Sequence, residues 1–269
     1  MTQWTCLLSV CSGLLIKCIF SETAFILSDR QRNGGYELRI FTPSMEVPFA
    51  GHPTLGTAYV IKHFVADQAI DKVVLNLKVG QIPVSFEETA GNGEVAWMEQ
   101  GPTIFGRVFS VAELARILRL DEDAFDGRFP VQAVSTGLPF IIVPLKTLDA
   151  VKRARVNRER LDALAEVMQT GILVFCPETY VQGNDLNVRV FVDMFGISED
   201  PATGSGNGCL AGYLSRYRYF GSDEVNVRVE QGYEVKRLSL LFLKAENKAG
   251  SIRVCVGGSV VLVASGKLA

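Results

Sequence analysis

The sequence predicts an α+β fold made of two related halves, each a mostly antiparallel β-sheet near one helix. Two observations indicate this fold. Short β-type runs outnumber helical segments throughout the 269-residue chain. In addition, Glu46-Val-Pro-Phe-Ala-Gly51-His52 resembles Glu199-Asp200-Pro-Ala-Thr-Gly204-Ser205 at an offset of 153 residues, from Glu46 to Glu199. A duplicated motif suggests one pocket between two related halves, although the few matching positions leave coincidence as an alternative.

The first half is predicted to contain a hairpin, a helix and three further strands. Residues 23–28 and 36–41 are β-type runs on either side of Asn33-Gly34-Gly35, which is typical of a hairpin turn. Apolar residues at helical spacing predict a helix from 54 to about 64, with Pro53 in its first turn. The predicted strands that follow are 73–79, 82–87 and 94–99.

The second half is predicted to repeat this plan after a helix at 110–118. A helix is expected at 158–168, and a helix at 208–218 follows the second motif as its counterpart follows the first. The predicted strands of this half are 140–144, 172–176, 186–195, 225–230, 238–244, 252–256 and 259–264. We therefore expect an N-terminal lobe at 1–105 and a C-terminal lobe at 106–257, with 258–269 able to return to the first lobe.

Charge and composition favour small-molecule chemistry. The net charge is -2, and acidic and basic residues are interleaved without a basic block, so no nucleic-acid partner is expected. The apolar run within residues 1–20 is interrupted by Lys17, lacks a basic leading segment and is shorter than the ~18 apolar residues of a membrane span. No membrane partner is expected, and a cytoplasmic location is the default.

Cysteine and histidine usage predicts no metal site. The six cysteines form no Cys-x-x-Cys pair, which supports neither a disulfide framework nor a zinc site. His52 and His63 are the two histidines of the sequence, so any metal site would depend on carboxylates.

Each motif leaves a strand, turns through glycine and exposes backbone N–H groups at the start of a helix. Two such helix ends could hold a carboxylate or a developing enolate without a cofactor. The alternative is that Gly51 and Gly204 only form tight turns and that Ser205 or Thr203 only caps a helix. For one motif alone, this alternative is favoured. A nucleotide site at 204–208 is a weaker alternative, because the glycine spacing is not Gly-x-Gly-x-x-Gly.

The combined motifs resemble one family. They are Phe20-Ser21-Glu22-Thr23-Ala24-Phe25, Arg39-Ile-Phe-Thr-Pro43, Pro48-Phe-Ala-Gly-His52-Pro and Glu199-Asp200-Pro-Ala-Thr-Gly-Ser205. From about residue 19 to its end, the chain resembles the PhzF-like proteins of phenazine biosynthesis, which share the diaminopimelate-epimerase fold. The resemblance implies two pseudo-symmetric lobes, each a curled sheet around a central helix, with the active site in the cleft between them. It also implies a homodimer and a cofactor-free isomerase acting on a small-molecule carboxylate.

The resemblance also implies roles for individual residues. Glu22 matches the catalytic glutamate, which removes a proton from one carbon and returns it at another, as in the isomerisation of trans-2,3-dihydro-3-hydroxyanthranilate. Shelter in an apolar cleft would raise the pKa of such a glutamate towards ~6–7. Sequence context without the resemblance favours a solvated charge for Glu22. The residues implied to bind substrate are His52, Asp200, Ser205, Gly51 and Gly204.

Two departures from the family pattern leave a second hypothesis open. The strand, Gly-Asn-Pro motif and helix that usually precede Ser21-Glu22-Thr23 are not recognisable, so we expect a truncated or misassigned start. A catalytically inactive binding or scaffold protein of the same fold is therefore the alternative. Racemisation by two thiols is disfavoured, because His52 and Ser205 occupy the equivalent positions and Cys209 is expected to pack as a small apolar residue.

Overall fold

The computed structural model describes residues 22–42, 45–89, 93–157, 159–160, 170–192, 197–248 and 250–266. The chain divides into two compact units. The first contains the described residues within Met1–Met98 and Ser259–Ala269, and the second is Glu99–Gly258. Strands predominate in both units, which confirms the predicted α+β class.

The first unit contains a five-stranded sheet in the order β1-β2-β4-β5-β6, with a short strand β3 paired to β2. Its neighbouring strands are antiparallel except for the parallel pair β2–β4. Helix α1, Gly51–Val60, continues into a π-helical turn, Ile61–Val65, and packs on the sheet through Ala58 and Ile61. The strands are β1 Thr23–Ile26, β2 Tyr36–Phe41, β3 Glu46–Val47, β4 Lys72–Leu77, β5 Gly80–Thr89 and β6 Gly93–Glu99.

The hairpin turn forms as the sequence predicts. Asn33 and Gly34 have φ angles of 51° and 81°, which is the left-handed conformation required at both central positions of a type I′ turn. Arg32 and Gly35 exchange two backbone hydrogen bonds of 2.8 and 3.0 Å across it. The turn therefore pairs β1 with β2 in a register set by local residues.

The second unit contains an eight-stranded sheet in the order β7-β8-β9-β10-β11-β13-β14-β15, with β12 paired to β11. The pairs β9–β10 and β11–β13 are parallel. Its described helices are α2 Val111–Leu118, α3 Leu148–Arg153 and the largely buried α4 Gly204–Arg216. The strands are β7 Ile104–Phe109, β8 Val131–Ser135, β9 Pro139–Pro144, β10 Gly171–Cys176, β11 Leu186–Val192, β12 Ile197–Asp200, β13 Val225–Gln231, β14 Ser239–Lys248 and β15 Ser251–Ser259.

The two units repeat one internal plan. The order β1-β2-β4-β5-β6 in the first is matched by β10-β11-β13-β14-β15 in the second. The parallel pair is set by Tyr36 opposite Leu75 in one unit and by Leu186 opposite Val229 in the other. Each unit also adds a short antiparallel strand, β3 or β12, immediately before its main helix. This repetition confirms the predicted pseudo-symmetric halves.

Some predicted elements differ from the structure. The strand predicted at 259–264 is wrong: β15 ends at Ser259, and Val261 and Val263 are 78% and 92% exposed. Their valine-rich sequence resembles a strand, but the described residues offer them no pairing partner. Strands β7 and β8 were missed. The predicted helix at 158–168, the end of the strand at 186–195 and the atypical start lie largely or wholly outside the described residues.

No helix in the described part of the chain is long and apolar enough to cross a membrane.

Both motif helices begin earlier than predicted. Helix α1 begins at Gly51 rather than 54, and α4 begins at Gly204 rather than 208. Glycine and proline have poor intrinsic helix propensity, but helix-compatible backbone in a first turn tolerates both. As a result, His52 and Ser205 are each the second residue of a helix.

Candidate active site

A forked ion pair fixes β3, the short strand with which the first motif begins. Arg39 of β2 donates from Nε and Nη2 to the two carboxylate oxygens of Glu46 in β3, at 2.9 and 2.7 Å. Lys78 lies 2.6 Å from the same carboxylate. These hydrogen bonds, chiefly the one from Arg39, lower the pKa of Glu46 to about 2 despite its burial. Glu46 is therefore an ionised structural group that ties β3 to β2.

Glu22 and His52 meet at the N-terminus of α1. Glu22 immediately precedes β1, and its Oε2 lies 2.8 Å from His52 Nε2. The Glu22 side chain is 20% exposed, whereas that of His52 is 63% exposed. The first turn of α1 holds no acidic residue, and no side chain caps it among the described residues. The structure thus brings Glu22, Gly51 and His52 together, with a sheltered carboxylate behind an accessible imidazole.

The second motif carries the same fork. Arg189 of β11 donates from Nε and Nη2 to Glu199 of β12, again at 2.9 and 2.7 Å. The two side chains are only 4% and 8% exposed. Arg189 Nη1 also donates to the carbonyls at the C-terminus of α3, at 2.9, 3.2 and 2.9 Å; these belong to Val151, Lys152 and Ala154. The fork of the second unit is therefore more deeply buried than that of the first.

Asp200, Gly204 and Ser205 meet where β12 leads into α4. Asp200 ends β12, and Gly204 begins the helix three residues after Pro201. Thr203 occupies the N-cap position, yet its hydroxyl donates to Asp200 Oδ2 at 2.6 Å and does not cap the helix. The capping alternative is thus wrong for Thr203. Among the described residues, the Ser205 hydroxyl has no hydrogen-bond partner.

Four residues support these motifs through contacts that the sequence did not predict: Arg39, Arg189, Thr203 and Gln231. A signal for the arginines exists, because Arg39-Ile-Phe41 and Arg189-Val-Phe191 repeat, and each arginine lies over its phenylalanine ring at 5.0 and 4.9 Å. Their offset is 150 residues, from 39 to 189, three fewer than between the motifs. A comparison of the two halves at one fixed offset therefore cannot align both the arginines and the glycine motifs.

The glycines of α4 are explained by packing rather than by phosphate binding. A Cβ at Gly208 would lie 3.0 Å from the Gln100 side chain, and one at Gly212 would lie 2.6 Å from that of Thr103. Gly204 differs, because its Cβ would meet no atom of the described residues within 4 Å and its φ is not left-handed. Within the described part of the chain, neither packing nor backbone conformation therefore requires glycine at the start of this helix.

Cys209 packs as an apolar residue, as the sequence suggests. It is fully buried, and its Sγ donates to the Leu138 carbonyl at 3.4 Å. Burial raises the pKa of the thiol to about 11, so it remains protonated near neutral pH. The described residues include no cluster of three or more histidine, cysteine or carboxylate side chains that could hold a metal ion.

The repeated units, each with a forked strand pair leading into a glycine-started helix, define a protein of the diaminopimelate-epimerase-like fold class. A probable proline racemase from Agrobacterium radiobacter K84 shares this fold with a TM-score of 0.50 at 11% identity, over 90% of this chain and 76% of that one. At this identity the similarity shows the fold alone.

The chain belongs to the phenazine biosynthesis-like protein family, whose model matches residues 17–266. The trans-2,3-dihydro-3-hydroxyanthranilate isomerase of Pseudomonas fluorescens is 34% identical over 252 residues, covering 92% of this chain and 84% of that protein. A PhzF-family protein from Bacillus anthracis superposes with a TM-score of 0.83 at 26% identity, covering 96% of this chain and 86% of that one. The predicted family is confirmed, and the protein is an isomerase.

Proposed function

We propose that this isomerase works without a cofactor and moves a proton on a small cyclic or amino-acid-like carboxylate, with trans-2,3-dihydro-3-hydroxyanthranilate as the first candidate. The observation that carries the proposal is the 2.8 Å contact between Glu22 and His52 at the start of α1. A carboxylate and an imidazole in contact can serve as a general acid–base pair where a substrate reaches them. The name of the Pseudomonas fluorescens relative supports the choice of substrate.

Glu22 is the proposed proton carrier. Its carboxylate removes a proton from one ring carbon, and the electron pair of the broken C–H bond is delocalised into the adjacent unsaturated system. Glu22, now protonated, returns the proton to another carbon of that system. His52 orients the carboxylate through Nε2, and its exposed ring offers a hydrogen bond to the substrate. Proton removal and return balance, so the substrate is isomerised with no net oxidation.

The second motif is proposed to bind the polar groups of the substrate. Backbone N–H groups at the start of α4 and the Ser205 hydroxyl are suited to a carboxylate or a developing oxyanion. Asp200 is suited to an ammonium group. In support, Ser205 and Asp200 Oδ1 have no hydrogen-bond partner among the described residues, and no described atom lies close enough to Gly204 to require the absence of a side chain.

Glu22→Gln tests the role of the carboxylate while keeping its size. We expect solvent-deuterium incorporation into trans-2,3-dihydro-3-hydroxyanthranilate, followed by NMR, to fall by roughly 10²–10⁴. Glu94→Gln is a matched control, because Glu94 Oε1 also lies 2.8 Å from a histidine, His63, in the same unit but outside the motif. Equal losses in both variants, or full turnover by Glu22→Gln, would contradict the assignment.

A second arm tests cofactor independence and the inactive-scaffold alternative. Dialysis against a chelator followed by gel filtration should leave the exchange rate unchanged, and a loss restored by a metal or an organic cofactor would refute that part of the proposal. No exchange by the wild-type protein with any of a panel of cyclic and amino-acid carboxylates would favour a binding role instead.

A further inference from the structure

Gln231 is a fully buried amide that holds together the turn between Asp200 and α4. It is the last residue of β13, and its side chain makes four hydrogen bonds. Oε1 accepts from Thr203 N at 3.2 Å and from Asn207 Nδ2 at 2.8 Å. Nε2 donates to the Asp200 carbonyl at 2.7 Å and to Thr203 Oγ1 at 3.0 Å. All four hydrogen-bond partners of the Gln231 side chain lie in this turn or in the first turns of α4.

These contacts fix the direction of the Thr203 hydroxyl. If the Gln231 amide were reversed, its NH2 would face two donors and its oxygen would face a carbonyl, so the network permits one orientation. Because Gln231 donates to Thr203 Oγ1, the single hydroxyl proton of Thr203 is free to go to Asp200 Oδ2, at 2.6 Å. The chain of donors therefore runs from Gln231 through Thr203 to one oxygen of Asp200.

As far as the structure describes the first unit, its corresponding turn contains no such network. The strand registers make Val47 the counterpart of Asp200 and Leu77 the counterpart of Gln231. Ala50 occupies the N-cap position that Thr203 holds in the second unit. Val47, Ala50 and Leu77 all pack against the apolar core of the first unit. The turn before the main helix therefore folds with apolar side chains in the first unit. The fold alone does not require the hydrogen-bonded side chains of Gln231, Thr203 and Asp200 in the second unit.

We propose that Thr203 and Gln231 are positioning residues for the isomerase reaction. They hold Asp200 Oδ2 so that Oδ1, which has no hydrogen-bond partner among the described residues, faces the substrate beside the N-terminus of α4. The inference rests on the proposed function, since it takes Asp200 to be the group that meets the substrate. It predicts that Thr203 acts through Asp200 and not through overall stability.

The test is a double-mutant cycle between Thr203 and Asp200. Thr203→Val keeps the shape and removes the hydroxyl, and we expect kcat for trans-2,3-dihydro-3-hydroxyanthranilate to fall by roughly 10²-fold, because a substrate that is no longer held in position reacts more slowly by about this factor. Thr203→Ser keeps the hydroxyl and should retain most of the rate. In an Asp200→Asn background, Thr203→Val should have little further effect, because residues that act as a unit are not additive. The same loss in both backgrounds, or a wild-type rate in Thr203→Val, would overturn the proposal.

A structural arm separates this inference from the proposed function. Crystal structures of Thr203→Val and Gln231→Leu should show the Asp200 carboxylate displaced, with α4 still in place and Thr203→Ser unchanged. An Asp200 carboxylate that keeps its position in Thr203→Val would refute the positioning role even if the wild-type enzyme acts on another substrate. If the carboxylate moves but Glu22→Gln leaves exchange intact, the positioning role stands and the assignment of Glu22 falls.

Discussion

Replacing Arg189 with methionine should destabilise the protein more than the same change at Arg39. Arg189→Met would leave Glu199 without its forked partner in a site where its side chain is 8% exposed, with Glu234 also within 3.8 Å of the lost guanidinium. Breaking a buried ion pair on one side costs about 3–5 kcal/mol, because the remaining charge stays buried without compensation. The three carbonyls at the end of α3 would lose their donor as well.

Arg39→Met is the matched control offered by the repeat. Its partner Glu46 keeps Lys78 at 2.6 Å, so the carboxylate is not left without a cation. We expect a loss of about 1–3 kcal/mol, the range for a buried polar group deprived of one partner. The two variants remove the same type of side chain from the same arrangement of hydrogen bonds. They differ in how deeply the remaining glutamate is buried and in whether that glutamate keeps a second cation.

Urea unfolding followed by far-UV circular dichroism would measure both losses. Arg189→Met should also lower Tm by roughly 10 °C, as expected for a loss of this size in a domain of this length. Hydrogen exchange in peptides from β11 and β12 should locate the effect in the second unit. Equal losses, or a larger loss for Arg39→Met, would refute the reasoning that burial and the second cation decide the cost.

Three further predictions follow from single sites. The pKa of Glu46 in the folded protein is lowered from 4.5 to about 2, so its carboxylate contributes stability above pH 4.5 that is lost as the pH falls towards 2. Urea unfolding at a series of pH values should therefore show the difference in unfolding free energy between wild type and Glu46→Gln shrinking over that window. Gly204→Ala should keep the wild-type Tm but impair exchange, whereas Gly212→Ala should lower Tm; a destabilised Gly204→Ala would contradict the open space beside that residue. Native Cys209, buried and with a pKa of about 11, should resist iodoacetamide at pH 8 and react after unfolding, as peptide mass spectrometry would show; rapid labelling of the native protein would contradict its burial.

Local sequence signals predicted the elements whose shape depends on adjacent residues. The Asn33-Gly34 turn was readable because only a few residue types accept its φ angles. The two glycine motifs indicated both helix starts to within four residues, and the family motifs indicated Glu22 and His52, which the structure places in contact. The functional roles of these residues stay predictions until they are measured.

Contacts between distant residues were not readable from the sequence. Gln231 meets Thr203 across 28 positions of sequence, and no local pattern in the sequence indicates that contact. The Arg–Glu forks were hidden because the arginine and the glutamate are 10 positions apart in the second unit and 7 positions apart in the first. Val261 and Val263 have a strand-like sequence, but they lie outside any described strand, because a strand also needs a neighbouring strand to pair with.

A crystal structure with bound 3-hydroxyanthranilate, an aromatic analogue of the candidate substrate, would test the role of Glu22 most directly. We expect a ring carbon within about 3.5 Å of a Glu22 carboxylate oxygen, the separation that proton transfer from a positioned reactant requires. A ligand bound in full occupancy with its ring beyond the reach of Glu22 would contradict the claim that this carboxylate carries the proton.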